Sequence, residues 1–181
     1  AGRTDIAVAR GCAYPLVRQR VIADDVHGGN GLGGVELPEP RLRPVAGHAV
    51  DMIIERVLAA PGEITLVAIG PLTNVALAVR REPRIIEAVR EVVIMGGALL
   101  VPGNVTPTSE FNIYADPHAA SIVLGAGWPA RLIALDVTMQ VGLKHEQVGR
   151  LASNGNPGTR CIAQMIYYYF TEFAPKTGTG T

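Results

Sequence analysis

The stretch Val92–Asp136, VVIMGGALLVPGNVTPTSEFNIYADPHAASIVLGAGWPARLIALD, decides how the rest of the chain is read. It opens on an apolar run, Val92–Met95, that stops at Gly96 and Gly97, as a buried strand stops. A polar excursion follows and carries Asn104, Glu110 and Asn112. DPHAASIVL then reads as a helix, with Asp116 as its N-cap and Pro117 in its first turn. RLIALDVT reads as a further strand, ending at Asp136 and Thr138. A strand that leads through a long polar loop into a helix is where α/β proteins place their sites.

Upstream, IAVAR (Ile6–Arg10) alternates weakly and predicts a short strand. Apolar residues at 50, 53, 54, 57 and 58 share one helical face, and Pro61 with Gly62 ends that helix. Ile64–Gly70 is almost continuously apolar, which predicts a strand covered on both faces of a parallel sheet. GPLTN turns the chain into a second helix, Val75–Arg80; Pro83 interrupts it, and RIIEAVREV continues as a short helix into the Val92 strand. Strand–helix–strand units with short connections imply an α/β fold: an open, mostly parallel, Rossmann-like sheet flanked by helices. Downstream, LKHEQVGRLAS predicts an amphipathic helix and RCIAQMIYYYFTEF a longer one whose tyrosines pack. No repeat or linker divides the chain, so residues 1–181 read as a single domain. The chain enters a strand at once and stops in the small polar run KTGTGT, so the expectation is a domain incomplete at both ends.

Composition narrows the function classes. Of 181 residues, 48% are apolar, enough to bury a full core. Sixteen basic residues balance sixteen acidic ones, so no basic face advertises nucleic acid. No apolar run approaches the roughly 20 residues of a membrane span, and no signal-peptide pattern opens the chain. Cys12 and Cys161 lack metal spacing and read as reduced thiols of a cytoplasmic protein.

Several residues could carry chemistry. Gly29–Gly34 matches G-x-G-x-x-G, but no strand leads into it, and Pro38 and Pro40 forbid the helix that would receive a pyrophosphate. The segment reads instead as a mobile glycine-rich loop. Its His27 and Asn30 are either ligand contacts or solvated loop groups. Asn104, Glu110 and Asn112 bring two amides and a carboxylate, the equipment for a polyhydroxylated ligand such as a sugar; they could equally cap turns. Taken as an extended segment, Glu110 and Asn112 share one side while Phe111 faces the core. Asp136, at a strand end, could be catalytic or structural. His48, His118 and His145 have no partner at metal-ligand spacing. There is no nucleophile elbow and no Walker A loop.

HGGNGLGGVELPEP, VAIGPLTNVALA, EPRIIEAVREVVIMGGA, GNVTPTSEFNIYADPHAA and the strand ending LDVT, in this order, are similar to the inosine–uridine preferring nucleoside hydrolases. The similarity runs from Arg3 to about Phe173. It implies a ribonucleoside as small-molecule substrate, cleavage of its N-glycosidic bond to base and ribose, and a calcium ion that holds the ribose diol and activates water. It implies an oxocarbenium-like transition state stabilised by carboxylate and amide oxygens. By the same resemblance Asn104 and Glu110 would hold the 5′ side of the ribose, and Asn112 would bind a ring hydroxyl. Met95 would pack under the sugar, Ile69 would offer its backbone carbonyl to calcium, and His27 and Asn30 would lie on a closing loop. A homodimer or homotetramer is implied as well. The family's N-terminal aspartate cluster and late His-Asp pair have no counterpart in this sequence; Asp24 and Asp25 do not match the cluster. The resemblance therefore places no catalytic residue in this chain and leaves two further readings: a non-catalytic nucleoside- or ribose-binding remnant, or a structural fragment.

Overall fold

Three parallel strands in the order β1-β2-β3 place the loops that matter, and the register shows which side chains share a face. The computed structural model describes residues 5–173. Its elements in chain order are α1 (Asp24–His27), α2 (Ala49–Ala59), β1 (Thr65–Ala68), α3 (Thr73–Arg81), α4 (Ile85–Ala88), β2 (Glu91–Met95), α5 (Phe111–Ala115), α6 (Pro117–Leu124), β3 (Ala130–Ile133), α7 (Leu135–Thr138), α8 (His145–Ser153) and α9 (Pro157–Tyr168). A π turn, Tyr169–Phe173, follows α9. These residues gather into two compact units. The larger holds Ala7–Arg20 and Arg43–Val141; the smaller holds residues 5–6, Val21–Leu42 and residues 142–173.

In the larger unit the architecture is α/β, a small open parallel sheet flanked by helices. Leu66 pairs with Val92, and Ala68 with Ile94, which in turn pairs with Leu132. This face meets the core built from Val57, Leu72, Ile85, Val92, Ile94 and Val123, contributed by α2, the turn before α3, α4, β2 and α6. Paired residues project to the same side of a sheet, so Val67, Val93, Arg131, Met95 and Ile133 share the other face. Val67 is 59% exposed and Ile69, just past β1, is 78% exposed. The expectation that this strand is covered on both faces is thus wrong among the described residues: an apolar run records preference for burial, while coverage needs a second layer.

Four other readings are corrected. Ile6–Arg10 forms no strand; one parallel bridge joins Arg10 to His48, and the Val8 and Arg10 carbonyls otherwise accept from the N–H groups of Val45, in a loop, and Ala49, the first residue of α2. Ile6 and Val8 are exposed, so the alternation had no sheet to enter. β3 stops at Ile133, and Leu135–Thr138 is a helical turn; its buried Leu135 extends the apolar run without extending the strand. Asp24–His27, read as loop, is a short helix with two acids in its first turn. The helix after GPLTN begins at Thr73, two residues earlier than the periodicity indicated.

Residues 12–18 are sewn onto the helices by polar contacts. Asn74 Oδ1 accepts from the Cys12 N–H at 2.8 Å, and Asp116 Oδ2 accepts from the Leu16 N–H at 2.9 Å. Arg18 donates to the Tyr114 carbonyl at 2.5 Å and lies 4.2 Å over the Tyr114 ring. Asp116 is fully buried, and its two oxygens also accept from the Thr73 hydroxyl (2.7 Å) and the Ala119 N–H (3.0 Å). One carboxylate so joins three segments, and it caps α6 as its position before Pro117 predicted. Asp116→Ala leaves three donors, those of Thr73 and Ala119 buried, without an acceptor and is expected to cost about 2–4 kcal/mol of stability in urea unfolding. Asp116→Asn, which keeps one acceptor oxygen, should cost less.

Candidate functional site

The carboxyl ends of parallel strands are the usual ligand edge of an open α/β sheet. Here that edge comprises Ile69 after β1, Met95 with Gly96 and Gly97 after β2, and Ala134 after β3. The polar loop returns to it. Gly103 makes the return tight: a Cβ there would stand 2.3 Å from the backbone N and O of Ser109. The Gly103 and Val105 N–H groups reach back to the Pro107 and Ser109 carbonyls, and Thr106 Oγ1 accepts from the Ser109 N–H at 3.0 Å.

Residues 111–115 are helical, which overturns the extended reading of Glu110–Asn112. Glu110 is the N-cap of α5. Its Oε1 accepts from the Asn112 N–H at 2.9 Å, and its Oε2 from Ile113 at 3.2 Å and Gly97 at 3.0 Å. Capping geometry, not strand alternation, aims Glu110 and Asn112 at the same turn. Asn112 donates its amide N–H to the Met95 carbonyl at 3.0 Å and lies 3.3 Å from Met95 Sδ. Asn104 Oδ1 accepts from the Phe111 N–H at 2.9 Å, so it stands against the same first turn. Asn104, Glu110, Asn112 and Met95 therefore do come together, and Ile69 lies one residue beyond the Ala68–Ile94 pair on the neighbouring strand.

Burial separates their roles. Asn104 is exposed, whereas Glu110 is 2% and Asn112 8% exposed. Among the described residues no buried side-chain oxygen or nitrogen lacks a partner. The Asn112 amide nitrogen is taken and its oxygen receives no donor among the described residues, so within them that oxygen is not sealed in. Each carboxylate oxygen can accept twice, so Glu110 Oε1, with one donor, keeps one acceptor direction. The site offers a free amide oxygen beside a mostly satisfied carboxylate.

Asp136 pins the backbone that follows β2. Its carboxylate accepts from the Leu99 (2.9 Å) and Leu100 (2.7 Å) N–H groups, and those two donors hold its carboxyl below the usual carboxylate range. His48 Nδ1 accepts from the Val50 N–H at the start of α2, which leaves Nε2 to carry the ring proton, 3.9 Å from Cys12 Sγ. Burial raises the Cys12 thiol above its ordinary value, and the charge of Asp116 adds to this against one backbone hydrogen bond. His27 and Asn30 belong to the smaller unit. There His27 is exposed, while Asn30 frames its own loop: Oδ1 accepts from Leu32 (2.9 Å) and Gly34 (3.0 Å), and Nδ2 donates to the Val35 carbonyl (3.2 Å). The glycine segment is thus a hydrogen-bonded turn. Sequence reading missed Asn74, Arg18 and Tyr114 as positioning groups, since nothing in their spacing marks contacts 62 and 96 residues away.

Calcium usually requires about 6–8 oxygen ligands, several charged. Among the described residues no three His, Cys, Asp or Glu side chains converge to hold a metal. The backbone carbonyl of Ile69 and the oxygens of Asn112 and Glu110 do not fit that ion unaided.

The sequence model of the inosine–uridine preferring nucleoside hydrolases matches residues 1–180. The chain belongs to this family. It is 42% identical over 168 residues to the pyrimidine-specific ribonucleoside hydrolase RihA of Shewanella woodyi, covering 93% of this chain and 54% of that protein. Its counterpart from Citrobacter koseri gives the same identity and coverage. Among solved structures, the purine-preferring ribonucleoside hydrolase from Gardnerella vaginalis superimposes with a TM-score of 0.93 at 31% identity, over 98% of this chain and 57% of that one. The plant nucleoside hydrolase PpNRh1 gives 0.91 at 34%, over 98% and 56%. The chain spans about half the length of the nucleoside hydrolases it matches.

Two expectations follow. Asp136 has a folded-state pKa below its unfolded value, so its stabilisation is present above the ordinary carboxylate range and is lost as pH falls through the folded value. The stability gap between the native chain and Asp136→Asn, followed by thermal unfolding, should therefore close under acid; a gap constant from neutral pH to acid contradicts it. Gly103→Ala should loosen the loop and lower the thermal midpoint by a few degrees, on the order of 1 kcal/mol.

Proposed function

We propose that this chain serves hydrolysis of the N-glycosidic bond of ribonucleosides and supplies the groups that grip the ribose. The observation that carries the reading is the Asn112 amide, whose nitrogen is fixed on the Met95 carbonyl while its oxygen stays open at the ligand edge of the sheet. A fixed dipole with its negative end outward needs no reorganisation when positive charge develops on a sugar ring. In the reaction, the bond from C1′ to the base nitrogen breaks, a water oxygen bonds to C1′, and the water's protons end on the base and the new hydroxyl. Asn112 Oδ1 would accept a ribose hydroxyl and face the oxocarbenium-like ring. Glu110 Oε1, through its remaining acceptor direction, and the exposed Asn104 would meet the 5′ side. Met95 would pack under the sugar. Both compact units lie within the single region the family match covers.

The resemblance also implies calcium, and this set of residues assigns it no step. If the chain supplies only part of the cation site, calcium titrated into it by calorimetry should give no saturable binding in the micromolar range and no shift in thermal midpoint. Tight binding with a clear upward shift contradicts that.

A second reading is a nucleoside binder without catalysis, favoured by the lack of converging acids among the described residues. Incubation with purine and pyrimidine ribonucleosides, with and without calcium, separates the two by chromatography of free base. Base release supports hydrolysis; saturable calorimetric binding of inosine or uridine without release supports the binder; neither result sinks both. Where release occurs, Asn112→Ala should lower kcat/KM by about 100-fold. An unchanged value would remove Asn112 from the site.

A further inference from the structure

Residues 12–18 form a strap with no helix or strand of its own, and it crosses the larger unit where α5 meets α6. Leu16 packs against the core, Val17 is 71% exposed, and Arg18 turns back, half-buried. That is the alternation of an extended segment, in which residues two apart share a side. Leu16 seats the strap, and Asp116 Oδ2 holds its N–H at 2.9 Å. The seat brings Arg18 to the carboxyl end of α5. There its Nη1 donates to the Tyr114 carbonyl, and its guanidinium carbon lies 4.2 Å from the centre of the Tyr114 ring. The last carbonyls of a helix have no partner inside the helix, so an outside donor is needed. A flat guanidinium can lie on the ring face while its edge reaches the carbonyl; a lysine ammonium lacks that plane.

α5 is five residues long, too short to hold its shape by its own hydrogen bonds. It is gripped from outside. At its amino end Glu110 accepts from the Asn112 and Ile113 N–H groups, and at its carboxyl end stands Arg18. Asn112 and Tyr114 are two residues apart, about 200° around a helix. The Met95 carbonyl therefore takes the turn from one side, through Asn112, and Arg18 takes it from the other. A turn held on opposite sides cannot roll, and rolling is the motion that would re-aim the Asn112 amide. We infer that Arg18 is a positioning residue for Asn112: it fixes the carboxyl end of α5, and through that single turn it sets where the amide oxygen points. The link runs through contacts within one compact unit. That the oxygen then serves a nucleoside rests on the functional reading above.

Hydrogen–deuterium exchange of the full chain, followed by NMR, tests the link without any ligand. Arg18→Ala should speed exchange of the Asn112 and Ile113 backbone amides about tenfold. It should move the Asn112 side-chain amide signals toward those of a free amide. The Val92 amide, bonded to the Pro129 carbonyl in the same unit, should not change. Arg18→Lys should recover part of the protection, and Tyr114→Phe, which keeps ring and carbonyl, should match the native chain. Unchanged exchange at Asn112 and Ile113 in Arg18→Ala overturns the inference. An equal rise at Val92 overturns it too, since Arg18 would then stabilise the whole unit and not this turn. Should Arg18→Ala fail to fold, Tyr114→Ala takes its place: it removes only the ring under the guanidinium, and the same two readings decide. Positive charge on the sugar ring develops only in the transition state, so a misaimed amide costs kcat more than KM. Where base is released from inosine or uridine, Arg18→Ala should lower kcat about tenfold with KM within about twofold. In a chain already carrying Asn112→Ala it should cost nothing further. A second full tenfold loss there would mean another route and overturn the positioning role. If exchange behaves as expected but the native chain neither binds nor cleaves a nucleoside, the link stands and the functional reading falls.

Discussion

Two buried carboxylates, six residues apart, hold the structure to one arrangement. An ionised carboxylate removed from water is costly unless donors replace the lost hydration, and each of these has three. Glu110 takes the N–H groups of Gly97, Asn112 and Ile113; Asp116 takes those of Leu16 and Ala119 and the Thr73 hydroxyl. Between them lies α5, one turn long and too short to persist by itself. It is fixed at its start to the turn after β2 and at its end to α3 and the N-terminal strap. Lose either carboxylate and both the packing of α6 and the placement of Asn112 lose their anchor.

That constraint explains how a loop can carry a precise site. Asn112 is aimed by a cap, a helix turn and the Met95 carbonyl, all of them backbone-anchored. Its free oxygen is what the protein presents, and the polar atoms around it are mostly spent on holding it. Family membership places this arrangement among proteins whose names include both pyrimidine-specific and purine-preferring hydrolases.

The sheet face that the described residues leave partly open carries Val67 and Val93, with Met95 and Ile133 at its carboxyl end. Parallel sheets are ordinarily buried on both sides. The smaller unit follows different physics. Its order comes from glycines that allow positive φ and from aromatic rings laid against them, with Val148 and Ala163 as its buried apolar side chains.

The sequence by itself determined the family, the parallel α/β class, the helix of residues 49–59, the capping role of Asp116 and the clustering of Asn104, Glu110 and Asn112. Each is a local signal: an apolar period, a residue before proline, an ordered set of motifs. It misread the ends of β3, the segment at Ile6–Arg10 and the backbone at Phe111, because an apolar run does not state whether a neighbouring strand exists. The partners of Asp116, the strap at Cys12–Arg18 and the seat of Tyr168 were decided only by tertiary structure. Those contacts join residues 43 to 140 positions apart, and what selects them is the need to satisfy a buried charge or fill a space, a condition that arises only once the chain has folded.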